Sequence, residues 1–445
     1  MAKSDGNKVG VAAATAVGLG AIIGAGIFVL SGTAIALAGA YALLAFIIVG
    51  AVALIIALEL GELGSLLPNV KGASYSYTYK AFGSELGFMT GMLRYMALTV
   101  AISAIALGFG SYLSDFVFGH AVAAYSIAFA IVLILILSIV NMFGVKKAAE
   151  TDLGLVSIKL AILFVFIGFA LFMAFSRPGG FPALSFNPPH SGIMGGIFAA
   201  SVVVFFAYSG FQAISTITDR IRGGSKSYIR ALLAAVAISI IVYVLVVFAM
   251  LLLTPNNTYA NLLTPDPLSY VLGHSHSPSW LIRLTDIGAL IATASATVAM
   301  ILTSSRSLYQ MSEDRLLPAF FRKYNKKRDT AENGIMVSAA IGILMLFSGN
   351  IYFIASVSNF GLMFNYLVIG FDVMHFRRRG IRSPFRMPLY PYLPIIGVIL
   401  LLAFFTGLTK SALEVGVIMM MVLLVVYYSL MELRDKRVIR VKLFD

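Results

Sequence analysis

Long apolar stretches of about 20 residues dominate the sequence, and this is the length that crosses the hydrocarbon core of a bilayer. Of the 445 residues, 60% are hydrophobic and only 11% are charged, whereas a soluble chain carries about a quarter charged residues. Most of the surface must therefore face lipid. The pattern predicts an all-α polytopic membrane protein with twelve transmembrane helices, in the windows 11–38, 41–66, 86–114, 122–143, 153–175, 193–217, 230–253, 282–308, 334–348, 351–374, 390–408 and 412–431.

The lysines and arginines lie mostly on one side of these windows. With the amino terminus in the cytoplasm, 26 of the 32 fall in inner segments and three in outer segments. By the positive-inside rule, both termini are predicted to be cytoplasmic, in a plasma or inner membrane. The net charge of +13 then reflects topology, and a nucleic-acid partner is not indicated. No cleavage site precedes the first window, so we expect that helix to be retained.

Two of the windows are interrupted by glycine. Residues 18–32, GLGAIIGAGIFVLSG, contain five glycines, although each costs roughly 0.5–1 kcal/mol inside a helix. The sixth window is broken at Ser209-Gly210. The first and sixth windows are five apart, so equivalent helices would run in opposite directions, and such a pair indicates a transporter site in an inverted repeat. Close helix packing through small residues is the alternative explanation.

An unwound helix leaves main-chain groups without partners inside the bilayer, where each unpaired group is costly. A zwitterionic amino acid supplies partners of both signs. Its carboxylate accepts hydrogen bonds from N–H groups at the positive end of a half-helix, and its ammonium donates to freed carbonyls. We therefore expect an amino acid ligand near Gly24–Gly26. The long, proline-rich outer segment 254–280 is expected to form a lid or cover.

Five motifs carry a family resemblance. GAIIGAGIFVLSG resembles the first-helix signature of the amino acid/polyamine/organocation superfamily, and ALELGELGSLLPNVKGASYSYTYKAFG (57–83) resembles its second helix and inner loop. NMFGVKKAAE, FFAYSGFQAIST and SSRSLYQMSEDRLLP follow in family order. The resemblance covers roughly residues 10–380 and is greatest to the cationic-amino-acid-transporter-like branch.

That resemblance implies a LeuT-type fold of two inverted five-helix repeats with two extra C-terminal helices, which transports amino acids by alternating access. The implied divisions are a cytoplasmic segment 1–10, a first repeat 11–176 (spans 1–5), an outer loop 177–192, a second repeat 193–380 (spans 6–10), spans 11–12 in 381–433 and a cytoplasmic tail 434–445.

The resemblance also implies where the substrate binds. Phe206 matches an aromatic gate, and Ser209 is expected to face the substrate's side chain. The implied contacts are the main chains of Ile23, Gly24, Ala25 and Gly26 for the carboxylate, and carbonyls near Ile22 and around Phe205, Phe206 and Ala207 for the ammonium.

Lys159 stands inside the fifth window, in LGLVSIKLAILF. An ammonium in hydrocarbon must be paired or deprotonated, so this group could gain and lose a proton during transport. By resemblance, its amine takes the place of a sodium ion and contacts the Gly20 carbonyl and Ser295, with Thr293 or Thr297 as further candidates. The alternative is a lysine that snorkels to the inner interface.

The chain departs from the cationic branch at two acidic positions. Gln212 stands where those relatives carry an acid in the sixth span, and their third-span acid falls on Ala97. Both changes argue against a cationic substrate. The end of the sixth span also differs, with Asp219-Arg220 and Gly223-Gly224 in place of two glutamates and Asn-Pro, which bears on the inner gate.

Other polar and aromatic residues receive structural interpretations. Glu59 and Glu62 are expected in helix–helix or gate contacts, Arg306 as an inner structural or gating charge, Asp219 as a partner of Arg306 or Arg94, and Tyr75, Tyr77 and Tyr79 as interfacial aromatics.

The combined expectation is a secondary active transporter for proton-coupled uptake of neutral amino acids. The alternative is an exchanger of amino acids or amines on the same fold, with Lys159 as a fixed charge. Expected partners are the amino acid, protons and the lipid bilayer. No catalytic cluster, cofactor or metal site is indicated, and there is no cysteine. The sequence does not indicate an oligomeric state.

Overall fold

The computed structural model describes residues 9–67, 74–144, 148–176, 184, 186 and 192–435, without the side chains of 148–153, 216–220 and 433–435. Most of the predicted segments 1–10, 177–192 and 434–445 lies outside these residues, as does the side chain of Asp219. The boundaries of the predicted divisions therefore stay predictions.

Within the described ranges the chain is helical, with isolated bridges as its only β-type pairing. The helices are α1 (Val11–Ile22), α2 (Ala25–Val29), α3 (Ser31–Ala38), α4 (Ala42–Leu66), α5 (Ser74–Phe82), α6 (Ser84–Phe118), α7 (Ala123–Phe143), α8 (Ala148–Ser176), α9 (Gly192–Tyr208), α10 (Gly224–Leu253), α11 (Pro267–His274), α12 (Ser279–Glu313), α13 (Glu332–Leu346), α14 (Ile351–Arg378), α15 (Tyr392–Phe405) and α16 (Lys410–Asp435).

In the part of the chain that the structure describes, 10 stretches are long and apolar enough to cross a membrane, and α13 and α15 are shorter apolar helices. The chain is therefore a multi-pass membrane protein, as predicted. The boundary between α13 and α14 falls at SGN, where Gly349 has φ 67° and the side chain of Asn350 accepts a hydrogen bond from the N–H of Phe353. The total of twelve passes stays a prediction.

The helices form an inner and an outer group. In the apolar windows of α1–α2 and α6, 78% and 83% of the residues are buried by protein, against 17% in α16. α1 packs against α8, α10 and the segment that follows α9, while α6 packs against α7, α12 and α14. Glycine-broken α1–α2 therefore lies inside the bundle, and α16 lies at its periphery.

The segment 254–280, predicted to lie on the outer side, packs over the end of the first window. It contains a 3₁₀ turn, Asn256–Leu262, followed by α11. A Cβ placed on Gly32 would lie 2.5 Å from the carbonyl oxygen of Leu262, so only glycine allows this close approach. Leu262 and Leu268 are 0% exposed. The segment therefore covers this end of the bundle, while its side of the membrane and a role as a lid stay predictions.

One sequence interpretation is wrong in part. Tyr75 and Tyr77 on α5 are only 1% and 3% exposed, so they are not interfacial aromatics. The hydroxyl of Tyr75 donates to the carboxylate of Asp314, just past the end of α12. Tyr79, at 37% exposed, alone of the three has the exposure expected at an interface.

Candidate functional site

The first window is a helix broken near its middle. α1 ends at Ile22 and α2 begins at Ala25. Between them, Ile23 has ψ 82° and Gly24 has ψ −140°, which are not helical angles. Ile23 is 0% exposed, so the break is enclosed by protein. The predicted interruption near Gly24 is confirmed.

The sixth window changes its type of helix. α9 ends at Tyr208, and a 3₁₀ segment continues from Ser209 to Arg220. Hydrogen bonds switch from the i−4 to the i−3 carbonyl at such a junction, so the main chain needs other partners there. The Ser209 hydroxyl supplies one, since it donates to the Phe206 carbonyl at 2.8 Å. The interruption at Ser209-Gly210 is thus a transition in helix type and not an unwound gap.

The two interruptions lie directly against each other. A Cβ on Gly210 would be 2.2 Å from the carbonyl oxygen of Ala21, and a Cβ on Gly26 would be 2.2 Å from the Cα of Ala207. A Cβ on Gly24 would be 2.7 Å from the Cβ of Ala296 on α12. In this conformation the glycines admit neighbouring helices, which agrees with the packing alternative. Their role in admitting a ligand stays a prediction.

Tyr243 on α10 joins the two interruptions. Its hydroxyl lies 2.6 Å from the Ile22 carbonyl oxygen and 3.2 Å from that of Ala207. These are two of the oxygens that the sequence assigned to the substrate's ammonium. Tyr243 is fully buried, and its ring contacts those of Phe46 and Tyr208. Tyr243 was not predicted from the sequence, although a tyrosine in the middle of a span, far from the interfaces where tyrosines are common, was a usable signal.

Lys159 lies at the first interruption. Its amine donates to the carbonyl oxygens of Gly20 and Ile23, each at 3.1 Å, and the residue is 0% exposed. It therefore reaches into the bundle and does not snorkel to the interface. A Cβ on Gly20 would be 3.0 Å from the side chain of Val156, so a small residue at 20 keeps α8 close to α1.

The hydroxyls predicted near Lys159 bond within their own helix. Ser295 donates to the Ala292 carbonyl at 3.0 Å, and Thr293 and Thr297 donate to carbonyls one turn earlier in α12. The second oxygen at the Lys159 amine belongs instead to Ile23. The Ile23 carbonyl oxygen, which lies in the helix break, thus accepts the hydrogen bond from Lys159 that was predicted for Ser295.

The predicted gate residue Phe206 is 5% exposed, and its neighbour Phe205 is 3% exposed. The ring of Phe205 contacts the rings of Tyr366 on α14 and Phe404 on α15 in edge-to-face geometry. Phe211, in the 3₁₀ segment, stacks against the Tyr366 ring, with the ring centroids 5.7 Å apart. An aromatic cluster therefore holds the region around Ser209 against the carboxyl-terminal helices.

Arg94 on α6 is buried beside the second interruption. It is 2% exposed, its Nε donates to the Gln212 side-chain oxygen at 2.7 Å, and its Nη1 donates to the Ser307 hydroxyl at 2.9 Å. Arg94 and Gln212 border a small cavity that Ala21 and Ser209 also line. Gln212 was interpreted from the sequence as the loss of an acidic residue. In the structure its side-chain oxygen orients the buried Arg94 guanidinium. The proposed pairing of Arg94 with Asp219 lies outside the described side chains.

Glu62 and Glu59 on α4 have contrasting environments. Glu62 makes a two-pronged ion pair with Arg377 on α14, at 2.7 and 2.6 Å, and accepts from the Met387 N–H, which confirms a helix–helix role. Glu59 lies one turn away and is 2% exposed; a Cβ on Gly370 would be 3.3 Å from its Oε1.

Arg306 forms an ion pair with Asp329, which follows α12, at 2.7 Å. The side chains are 28% and 34% exposed, and Arg306 lies near the C-terminal end of α12, away from the two interruptions. The sequence suggested Asp219 as a partner of Arg306, whereas the partner in the structure is Asp329. The interpretation of Arg306 as a structural charge agrees with this contact.

Comparison with known proteins identifies relatives over nearly the whole chain. A methylthioribose transporter from Bacillus subtilis is 29% identical over 86% of this chain and 84% of its own length. The branched-chain amino acid permease BcaP of the same species is 26% identical over 96% of this chain and 93% of its length. Cationic amino acid transporter 7 of Arabidopsis thaliana is 27% identical over 81% of this chain and 64% of its length.

The sequence profile of the family described as amino acid permease matches residues 14–441. The match includes both interrupted windows, Lys159 and Arg94. The resemblance inferred from the five motifs is confirmed, and this chain belongs to the amino acid permease family of the amino acid/polyamine/organocation superfamily.

Proposed function

We propose that this permease is a secondary active transporter that takes up neutral amino acids together with protons by alternating access. The observation that carries the proposal is the contact of the buried Lys159 amine with the Gly20 and Ile23 carbonyls. These oxygens belong to the helix break that would hold the substrate's carboxylate. Release of the proton from Lys159 would weaken both contacts and so alter the geometry of the break.

The substrate site is proposed at the meeting point of the two interruptions. Ile23, Gly24, Ala25 and Gly26 would bind the carboxylate, and Ile22, Phe205, Phe206 and Ala207 the ammonium. The Tyr243 hydroxyl already contacts the Ile22 and Ala207 carbonyls, which supports their assignment as acceptors for a donor group. A substrate ammonium would take these oxygens from Tyr243, and Ser209, beside the cavity near Arg94, would face the substrate's side chain.

A neutral substrate is favoured by charge. Arg94 is a permanent buried cation next to Ser209 and Gln212, and a cationic side chain would be repelled there. The name of the relative BcaP, a branched-chain amino acid permease, is consistent with a neutral substrate.

The proposed architecture is the LeuT-type arrangement of two inverted five-helix repeats followed by two helices, twelve spans in all, with both termini in the cytoplasm of a plasma or inner membrane. Its support is the pair of interruptions five windows apart in the sequence, which lie against each other in space.

The proposal is tested by uptake of labelled alanine and leucine into proteoliposomes, with and without an inward proton gradient and with and without internal substrate. We expect the gradient alone to drive accumulation. In Lys159→Ala, gradient-driven accumulation should be lost, whereas Lys410→Ala, which alters a lysine whose side chain is 91% exposed, should behave as wild type. Unchanged pH dependence in Lys159→Ala would rule out the proton role.

An exchanger with Lys159 as a fixed charge is the second candidate. It is favoured by the same two contacts, since an amine bonded to both Gly20 and Ile23 also serves as a permanent brace across the break. Uptake that requires internal substrate and ignores the proton gradient would assign this function.

A further inference from the structure

The small cavity beside Arg94 is short of hydrogen-bond acceptors. Arg94 Nη2 and Gln212 Nε2 are both buried and have no hydrogen-bond partner among the described residues. Arg94 and Gln212 bind each other through Nε and Oε1, and Arg94 Nη1 donates to Ser307, so Arg94 Nη2 and Gln212 Nε2 are the N–H groups left over. Two buried donor groups therefore border the cavity without a hydrogen-bonded acceptor among the described residues; the Tyr366 hydroxyl, which faces the Gln212 side chain, also lacks a hydrogen-bond partner there.

The other polar groups of the cavity wall do not fill this deficit. The Ser209 hydroxyl donates to the Phe206 carbonyl, and the Thr303 hydroxyl donates to the Ala299 carbonyl. Ser307 accepts from Arg94 and donates to the Thr303 carbonyl. The rest of the lining is apolar or small, with Leu98 and Met300 among its members.

Arg94 also brings to the cavity a charge that has no carboxylate partner among the described side chains. A guanidinium stays protonated in proteins, and burying it without a counter-charge is strongly unfavourable. Within the described side chains, no carboxylate forms an ion pair with Arg94. The side chains that face it from α5 and α14 include Tyr77 and Tyr366, which are neutral in their ordinary state.

The size of the cavity limits its occupant. Its volume is about 10 Å³, which corresponds to one guest of the size of a water molecule. Ala21 and Ser209, which line it, belong to the two interrupted helices, so a group bound here would lie next to the proposed substrate site. A monatomic anion meets both limits, whereas a substrate carboxylate meets them only if a single carboxylate oxygen enters the cavity and the rest of the substrate lies at the interruptions.

We propose that Arg94 and Gln212 form an anion subsite that binds a single negative charge, through Arg94 Nη2 and Gln212 Nε2. The charge comes either from a halide ion or from the side-chain carboxylate of an acidic amino acid. Beyond the proposed transport of neutral substrates, the subsite makes the protein sensitive to the anion present. The anion subsite depends on the proposed function only in that it is placed next to the proposed substrate site.

The first experiment measures the thermal unfolding midpoint of the purified protein in detergent, at constant sodium, with isethionate replaced stepwise by chloride or bromide. Parallel arms add L-glutamate or L-aspartate in isethionate, with L-alanine as the uncharged comparison. We expect a saturable rise of the midpoint with halide. A rise with the acidic amino acids alone would support the subsite and identify the substrate's carboxylate as the source of the charge.

Matched variants connect the response to the cavity. Arg94→Met removes the charge, and Gln212→Leu removes the second donor while keeping the arginine; both should lose the anion response. Arg306 is the matched control, because it is a partly buried arginine that has a carboxylate partner, Asp329. Arg306→Gln should keep the anion response. Equal midpoints in all anions for the wild type, or a wild-type response in both cavity variants, would overturn the proposal.

Transport is a separate readout. Accumulation of labelled alanine in proteoliposomes should fall at least threefold when chloride is replaced by isethionate on both sides, if a halide is the occupant. If the occupant is a carboxylate, labelled glutamate should be taken up by the wild type and not by Arg94→Met. Because the thermal midpoint needs no transport, failure of proton-coupled uptake leaves the anion test intact.

Discussion

Lys159 and Arg94 are both buried basic residues near the first interrupted helix, yet their surroundings differ in kind. The Lys159 amine donates to two main-chain carbonyls, those of Gly20 and Ile23, whereas the Arg94 guanidinium donates to the side chains of Gln212 and Ser307. An amine can release its proton when its environment changes, whereas a guanidinium stays charged. The comparison separates a cation suited to switching from one that needs a permanent counter-charge.

The largest effect is expected when Lys159 is given the chemistry of Arg94. Lys159→Arg keeps the positive charge and removes the ability to deprotonate. If proton release is required, proton-driven accumulation of labelled alanine should fall at least tenfold, while exchange against internal substrate continues. Gradient-driven accumulation at the wild-type level in Lys159→Arg would break the distinction between the two cations. Lys159→Met, which has no charge, serves as the comparison.

The next effect compares Arg94 with an arginine that has a carboxylate partner. Arg377→Met leaves Glu62 buried without its ion pair, and the loss of one partner of a buried pair costs about 3–5 kcal/mol in the free energy of unfolding. Arg94→Met removes a charge that has no described carboxylate partner but leaves the buried Gln212 oxygen without its donor, so in halide-free buffer its cost should be smaller, about 1–3 kcal/mol. Thermal midpoints of both variants in isethionate give the measurement; equal losses would contradict the assignment of Arg94 as unpaired.

A smaller effect is expected from the glycine contacts of the interruptions. In Gly26→Ala the new Cβ would lie 2.2 Å from the Cα of Ala207, and main-chain atoms must move, at a cost of about 1–3 kcal/mol. Gly168→Ala on α8 is the matched control, since nothing lies within 4 Å of its new Cβ and alanine favours a helix by about 1 kcal/mol. If Gly26→Ala leaves the free energy of unfolding unchanged, the two interruptions are not held in contact.

Tyr243→Phe tests the hydroxyl that joins the two interruptions. The variant leaves the Ala207 carbonyl without this donor, while Ile22 still accepts from the Gly24 N–H, so the loss of stability should be about 1 kcal/mol. Because a substrate ammonium would no longer compete with the hydroxyl, the apparent affinity for alanine, measured by uptake or by thermal shift, should rise. Weaker binding in Tyr243→Phe would instead make the hydroxyl a substrate contact.

The smallest effect concerns a buried group that, like Lys159 and unlike Arg94, can lose its charge. Burial of Asp266 in the outer segment raises its pKa above the ordinary value of 3.8, with nearby Asp115 adding to the rise and the bond from Thr264 opposing it. The folded state therefore favours the protonated acid. Stability should decline as pH increases from about 3.8 to the raised pKa and then level off, and Asp266→Asn should lack this decline in thermal melts.

The sequence predicted much of the fold because hydropathy and charge act along the chain. Spans of sufficient length and the break between α13 and α14 followed from local composition, and the interruption at Gly24 followed from the glycines. The alternatives that the sequence left open were geometric. Snorkelling of Lys159 was excluded only when its amine was found at the Gly20 carbonyl.

The site was predicted less completely than the fold. Lys159 and the Gly20 carbonyl were expected together and are found together, whereas Ser295 bonds to its own helix. Tyr75 and Tyr77 were assigned to an interface because periodicity could not reveal that α5 is covered by α6 and α14. Gln212 was interpreted as the loss of an acid, and its role as a partner of Arg94 required coordinates.

By itself, the sequence determined that the chain enters a membrane, where its long apolar helices lie, and that the first of them carries a glycine break, because length, apolarity and local backbone preference are properties of neighbouring residues. Tertiary structure alone decided which polar atoms meet. Tyr243 and Ile22 are 221 positions apart, and Arg94 and Gln212 are 118 apart. Hydrogen bonds need the right distance and direction between two atoms, and for residues so far apart only the packing of the helices supplies both.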